Sequence, residues 1–163
     1  MPRRSRRPEL ALLIVALLFA APVRAELSGA TDGRALIGID GRYGGALMID
    51  LWGLRGRWRP GAAFGLGALS ENDSASSRLF SPLALSMAFV PWPDGSSPFV
   101  VGRVGGYLGA EKGGFIGGLY AGGALGYGIG LGEGATVRLG VDLWGLIGER
   151  GGFFLGPALG LGF

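Results

Sequence analysis

From Phe115 to Leu131 the chain alternates two kinds of side chain, and this alternation limits what it can become more than any other feature. Odd positions carry Phe115, Leu119, Ala121, Leu125, Tyr127, Ile129 and Leu131; even positions carry Gly118, Gly122, Gly126, Gly128 and Gly130, with Tyr120 among them. A period of two belongs to a strand with two different faces, and so dense a run of glycine does not sustain a helix. The pattern continues to the last residue. Phe153, Leu155, Leu159, Leu161 and Phe163 share one face; Phe154, Gly156, Ala158, Gly160 and Gly162 share the other.

Turn signals divide the chain into comparable pieces. Strands are expected over 34–43, 46–58, 62–70, 78–91, 98–110, 115–131, 135–148 and 153–163. The first break is placed at Gly44-Gly45, although Asp40-Gly41 is also a good hairpin turn. Most segments reach the about 9–11 residues that a tilted strand needs to cross a bilayer. In a soluble sandwich or barrel the second face would be polar and wet. Here it is mostly Gly and Ala, which suits a narrow membrane barrel with lipid outside and a tight interior. The fold class read from these features is all-β, an antiparallel up-and-down transmembrane barrel of about eight strands. A soluble ligand-binding barrel of the periplasm is the alternative.

The formal charge of +3 looks like a nucleic-acid signal until it is located. Arg3, Arg4, Arg6, Arg7 and Arg24 stand in the first 25 positions against one acid, Glu9, which leaves ten basic and eleven acidic residues and a net −1 for the rest. No nucleic-acid partner is expected. The arginines instead precede an apolar run from Leu10 to Ala21, followed by Val23-Arg24-Ala25. This is the layout of a secretory signal peptide over 1–25, with the barrel domain over 26–163.

An exported chain with eight alternating segments and a final Phe163 resembles the small eight-stranded β-barrels of bacterial outer membranes. The resemblance implies an outer-membrane location, lipid as the surrounding partner, and an assembly signal read by the barrel-assembly machinery. Phe163, Leu161 and Leu159 match that signal, with Leu155 and Phe153 behind them and Pro157 interrupting the series. It also implies periplasmic termini, so that the polar segment 70–77 falls on the outer side.

Enzymes of that group use His with Ser or similar residues, and this chain has neither His nor Cys. Triad hydrolysis, thiol chemistry, zinc sites of the usual N/S type and disulfides are thereby excluded. The expectation is a non-catalytic barrel with a structural or interaction role and no cofactor or metal; the alternative is a narrow channel or small-ligand conduit. Gly126-x-Gly128-x-Gly130 lacks the strand-then-helix context of a phosphate cradle. Glu71 with Asp73, and Glu149 with Arg150, read as solvated loop charges.

Parity points one set of polar residues inward: Asp40 and Arg42 on the first strand, Asp50 and Trp52 on the second, Arg103 and Tyr107 on the fifth, Tyr120 on the sixth, and Arg138, Asp142 and Trp144 on the seventh. Three Asp and three Arg would balance there as a paired plug, because an isolated buried ion costs several kcal/mol. Asp50-Leu51-Trp52-Gly53-Leu54 recurs at Asp142-Leu143-Trp144-Gly145-Leu146, on strands of opposite direction. Trp58 and Trp92 suit an interfacial girdle near strand ends.

Overall fold

Alternation on this scale leaves every strand with an apolar face and a small-residue face, and an open sheet would leave two unpaired edges. The chain closes the sheet on itself. A computed structural model describes residues 27–53, 56–70, 77–111, 114–132, 134–148 and 151–163. The first 25 residues, and with them the expected signal peptide, lie outside the described residues, as do Glu71, Asp73, Glu149 and Arg150. The described residues form eight strands: β1 (Ser28–Gly38), β2 (Tyr43–Trp52), β3 (Trp58–Ser70), β4 (Ser77–Phe89), β5 (Ser97–Glu111), β6 (Gly114–Gly132), β7 (Ala135–Ile147) and β8 (Gly152–Gly162). Each pairs antiparallel with its neighbour in sequence, and β1 pairs with β8 to complete a closed barrel.

Two boundaries differ from the sequence expectation. β1 runs from Ser28 to Gly38 rather than over 34–43, and the turn falls at Asp40-Gly41, not at Gly44-Gly45. Gly41 adopts φ +84°, which a side chain would disfavour, and the Gly38 N–H donates to the Arg42 carbonyl at 2.7 Å to close the hairpin. Gly44 and Gly45 then lie within β2, opposite Leu36 and Ala35. The next turn moves as well. β2 stops at Trp52, and Arg59-Pro60-Gly61, expected as a break, belongs to β3. Pro60 sits at the edge of the β2 ladder, just past the Trp52–Gly61 pair, and its carbonyl accepts the Gly53 N–H at 3.1 Å.

The outer surface is apolar on all eight strands, with Ile37, Leu47, Leu66, Leu85, Val104, Leu119, Leu143 and Leu159 all exposed. Inside, large side chains alternate with glycine across strand pairs. Phe80 lies opposite Gly67, Phe99 opposite Gly126, Tyr107 opposite Gly118, and Trp144 opposite Gly122. A Cβ on Gly126 would stand 2.6 Å from the Phe99 ring, so the missing side chain is the room the ring occupies. The interior holds two apolar layers. One, near the end where β1 begins and β8 finishes, contains Ala30, Trp52, Ala88, Phe99, Val101 and Ala124. The other, toward the opposite end, is larger and includes Leu36, Met48, Phe80, Tyr107, Tyr120, Trp144 and Phe154.

Candidate functional site

Between the two apolar layers lies a belt of charge. Asp50 of β2, Arg103 of β5, and Arg138 and Asp142 of β7 are all buried there. Asp40 and Arg42, expected to join them, do not: they occupy the exposed 39–42 turn. Their places are taken by Asp32 and Arg34 of β1, both buried. The parity of β1 was legible, since 32, 34, 40 and 42 are all even. The turn position was not, and it carried Asp40 and Arg42 past the end of the strand.

The belt can form because its members stand beside small cross-strand neighbours. Asp50 is flanked by Ala30 and Ala63, and Arg34 by Ala46 and Ala158. Arg103 stands between Ser86 and Gly122, Asp142 between Ala124 and Gly156, and Arg138 between Gly128 and Gly160. Long charged side chains can cross the interior only where the adjacent wall leaves space.

Contact by contact, the belt contains a ring. Arg103 grips Asp50 with two hydrogen bonds, from Nε at 2.9 Å and from Nη2 at 2.6 Å. Its Nη1 lies 3.5 Å from Asp142. Arg34 reaches the same two carboxylates, with Nη1 on Asp142 and Nη2 at 3.9 Å from Asp50. Two guanidinium groups thus sit between two carboxylates, so each charge has opposite charges as neighbours. Asp32 extends the ring, lying 3.2 Å from Arg34 and 3.6 Å from Arg138. Arg138 also lies over the Phe99 ring at 4.0 Å and the Trp52 ring at 5.4 Å. A cation over an aromatic face gains from the ring quadrupole, more so away from water. The carboxylates alternate with guanidinium groups, and no cluster of metal-ligating side chains occurs among the described residues.

The repeated Asp-Leu-Trp segment acquires a structural meaning here. β2 and β7 run in opposite directions, so Trp52 leaves the belt toward one apolar layer and Trp144 toward the other. Trp144 packs against Tyr120 and edge-on against Phe80.

A second, outer set of charges caps the larger layer. Arg42 donates from Nε to Asp40 at 2.7 Å and from Nη2 to the Gly151 carbonyl at 2.8 Å, tying the first hairpin turn to the start of β8. That hydrogen bond from the Arg42 side chain holds the Asp40 carboxyl below its ordinary value. Arg78, buried at the start of β4, pairs with Glu111 at 3.4 Å. Neither Arg78 nor Glu111 was singled out in sequence; for Arg78 the even, inward parity of β4 was the available signal.

The remaining expected residues lie on the outside. Leu159 and Leu161 project outward, while Phe163 is exposed at the barrel mouth, where it exchanges backbone hydrogen bonds with Gly29 at 2.8 and 2.9 Å. Trp58 and Trp92 are exposed near the same end of the barrel, where Trp58 packs on Phe89 with ring centroids 4.6 Å apart.

Fold and interior together define a class: a closed eight-stranded antiparallel barrel, the architecture of small bacterial outer-membrane barrels. Among solved structures the chain is similar to Neisserial surface protein A (NspA), with TM-score 0.63 and 10% identity over 83% of this chain and 92% of that one. It is also similar to the N-terminal β-barrel domain of Pseudomonas aeruginosa OprF, with TM-score 0.51 and 16% identity over 84% of this chain and 96% of that one. At these identities the likeness is one of fold. No protein-family profile and no curated protein sequence matches the chain.

Proposed function

We propose that this protein is an outer-membrane barrel with a filled interior, serving a structural or interaction role and not forming an open pore. The observation that carries this reading is the contrast between its two surfaces. Large apolar side chains are exposed on every strand, as lipid favours and water does not, while the belt and the two apolar layers occupy the interior. The exposed apolar belt also speaks against a soluble periplasmic barrel.

In this reading residues 1–25 direct export and are removed, leaving Glu26 first. The end where β1 begins faces the periplasm, and the 39–42 turn faces outward. Phe163, Leu161 and Leu159 form the segment recognised during assembly. Mass spectrometry of protein from fractionated membranes tests the first point. An intact N-terminus in the inner membrane would overturn it.

The role itself is tested by measuring planar-bilayer conductance and unfolding on the same refolded protein, wild type and Asp142→Asn. A filled barrel shows no steady conductance, and the substitution lowers the unfolding midpoint. A steady current whose cation selectivity shifts in Asp142→Asn, with stability unchanged, would establish a channel instead.

A further inference from the structure

The two ends of the barrel are built differently. The end near the 39–42 turn is capped by the Arg42–Asp40 and Arg78–Glu111 pairs over the larger apolar layer. At the other end, a bowl of 520 Å³ opens between the β4–β5 and β6–β7 connections. A recess of 80 Å³ adjoins it, sharing Arg59, Pro93, Thr136 and Phe163 as common walls. The recess reaches Trp52, Phe99 and Arg138, at the edge of the charged belt.

Trp52 Nε1, Arg138 Nη1 and Ser28 Oγ along this path are buried donors with no acceptor within hydrogen-bond distance among the described residues, as are Trp144 Nε1 and Tyr120 Oη away from it; Arg138 Nη1 keeps Asp32 at 3.6 Å as an ion-pair partner. Trp52, Arg138 and Ser28 are only 4%, 6% and 2% exposed. Buried polar groups in folded proteins are mostly matched, and these three border a cavity that an acceptor could enter. Their chemistry narrows the choice. An indole N–H and a guanidinium N–H donate only, so the partner must accept. Arg138 shares Asp32 with Arg34, and Arg34 holds the shorter contact, 3.2 Å against 3.6 Å. Arg138 is therefore the less neutralised of the two cations. Arg59 and Asp94, the charged residues in the described lining of the bowl, offset each other in formal charge, which leaves Arg138 in the recess as the cation to face an anion. The recess wall joins apolar Ala88, Val90, Phe99 and Phe163 to polar Arg59, Ser97 and Thr136. Its apolar part suits a compact apolar body more than the hydration shell of an inorganic ion.

The geometry points to a binding site for a small organic monocarboxylate at this end of the barrel. Its carboxylate accepts from Arg138 and the Trp52 indole, and its apolar body lies toward Val90 and Phe163. The site goes beyond the structural reading and does not depend on it, because ligand binding and conductance are measured separately.

The test titrates the full refolded protein in lipid nanodiscs with benzoate, followed by backbone amide NMR. Benzamide and inorganic phosphate serve as the neutral and non-apolar comparisons. Benzoate saturates, with shifts confined to the mouth around Gly29, Gly95, Gly128 and Thr136. Benzamide binds at least about tenfold more weakly, as expected when a charged hydrogen-bond partner is lost. Arg138→Gln weakens benzoate by a similar factor. Trp52→Phe keeps the ring and loses the donor, and weakens it about three- to tenfold. Should Arg138→Gln fail to refold, Trp52→Phe and the benzamide comparison still decide the matter. Equal affinity for benzamide or for phosphate, shifts spread over the lipid-facing strands, absence of saturation, or a Trp52→Phe variant that binds as wild type would each overturn the proposal.

Discussion

Asp32-Gly33-Arg34 and Asp40-Gly41-Arg42 are the same tripeptide, the first within β1 and the second in the turn that follows it. In both, the arginine pairs with the aspartate two residues before it. In the first, Gly33 is an ordinary extended residue between Leu47 of β2 and Leu159 of β8, and both charges are buried against Asp50, Asp142 and Arg138. In the second, Gly41 turns through positive φ and the Asp40 side chain is 42% exposed. The chemistry of the pair is constant and the surroundings differ. Water screens one pair and supplies alternative partners for its members; the other has only its neighbours in the belt.

The sharpest way to break this comparison is to remove the arginine from each copy. Arg34→Gln leaves Asp32, Asp50 and Asp142 short of a buried cation and should cost about 3–5 kcal/mol. Arg42→Gln, at the barrel end, should cost at most about 1 kcal/mol. Urea unfolding of the refolded variants in detergent measures both, and equal small losses would mean that the belt is well hydrated.

A charge placed on the opposite face of the belt strand probes the same contrast from outside. Leu143 follows Asp142 and points away from the interior. Leu143→Arg should cost about 2–4 kcal/mol if that face meets the middle of a bilayer. Normal refolding of Leu143→Arg into lipid vesicles would mean that the outer face does not lie in hydrocarbon.

A double-mutant cycle sharpens the comparison further. Asp50→Asn with Arg103→Gln should show a coupling of about 0.5–3 kcal/mol, since the two residues share two hydrogen bonds. The same cycle on Asp40 and Arg42 should fall below about 1 kcal/mol and shrink as salt is added.

The smallest effect concerns pH. Asp40 titrates below its ordinary 3.8 in the folded chain because Arg42 hydrogen-bonds its ionised form. Its contribution to stability is therefore present above the unfolded value and fades as pH falls through the folded one. The difference in unfolding midpoint between wild type and Asp40→Asn should vanish in acid and return at neutral pH. A difference that grows in acid would reverse the sign of the Asp40 shift.

How much of this was legible can be followed residue by residue. On β2, β5, β6 and β7 the inward face was readable: Trp52, Tyr107, Tyr120 and Trp144 all lie inside, as their even or odd positions imply. Of the three Asp and three Arg expected inside, Asp50, Asp142, Arg103 and Arg138 lie in the belt, and one residue of each sign differs: Asp32 and Arg34 stand where Asp40 and Arg42 were placed. The exchange happened because Asp40-Gly41 and Gly44-Gly45 are both good turns, and local chemistry does not rank them. β2 and β8 rank them, since the observed turn sets Asp32 beside Gly160 and Arg34 beside Ala46 and Ala158, where there is room.

The mouth recess and the Asp50–Arg103 grip have no local signature at all. The recess is lined from all eight strands and the grip joins β2 to β5, and only closure of β1 on β8 brings those strands around a common axis. The sequence by itself determined the period, and with it the face each side chain takes, the apolar exterior and the small-residue interior. Only the tertiary structure decided which charges meet. A period of two is a property of one strand and is blind to height along the barrel, whereas height is set by register between strands far apart in the chain.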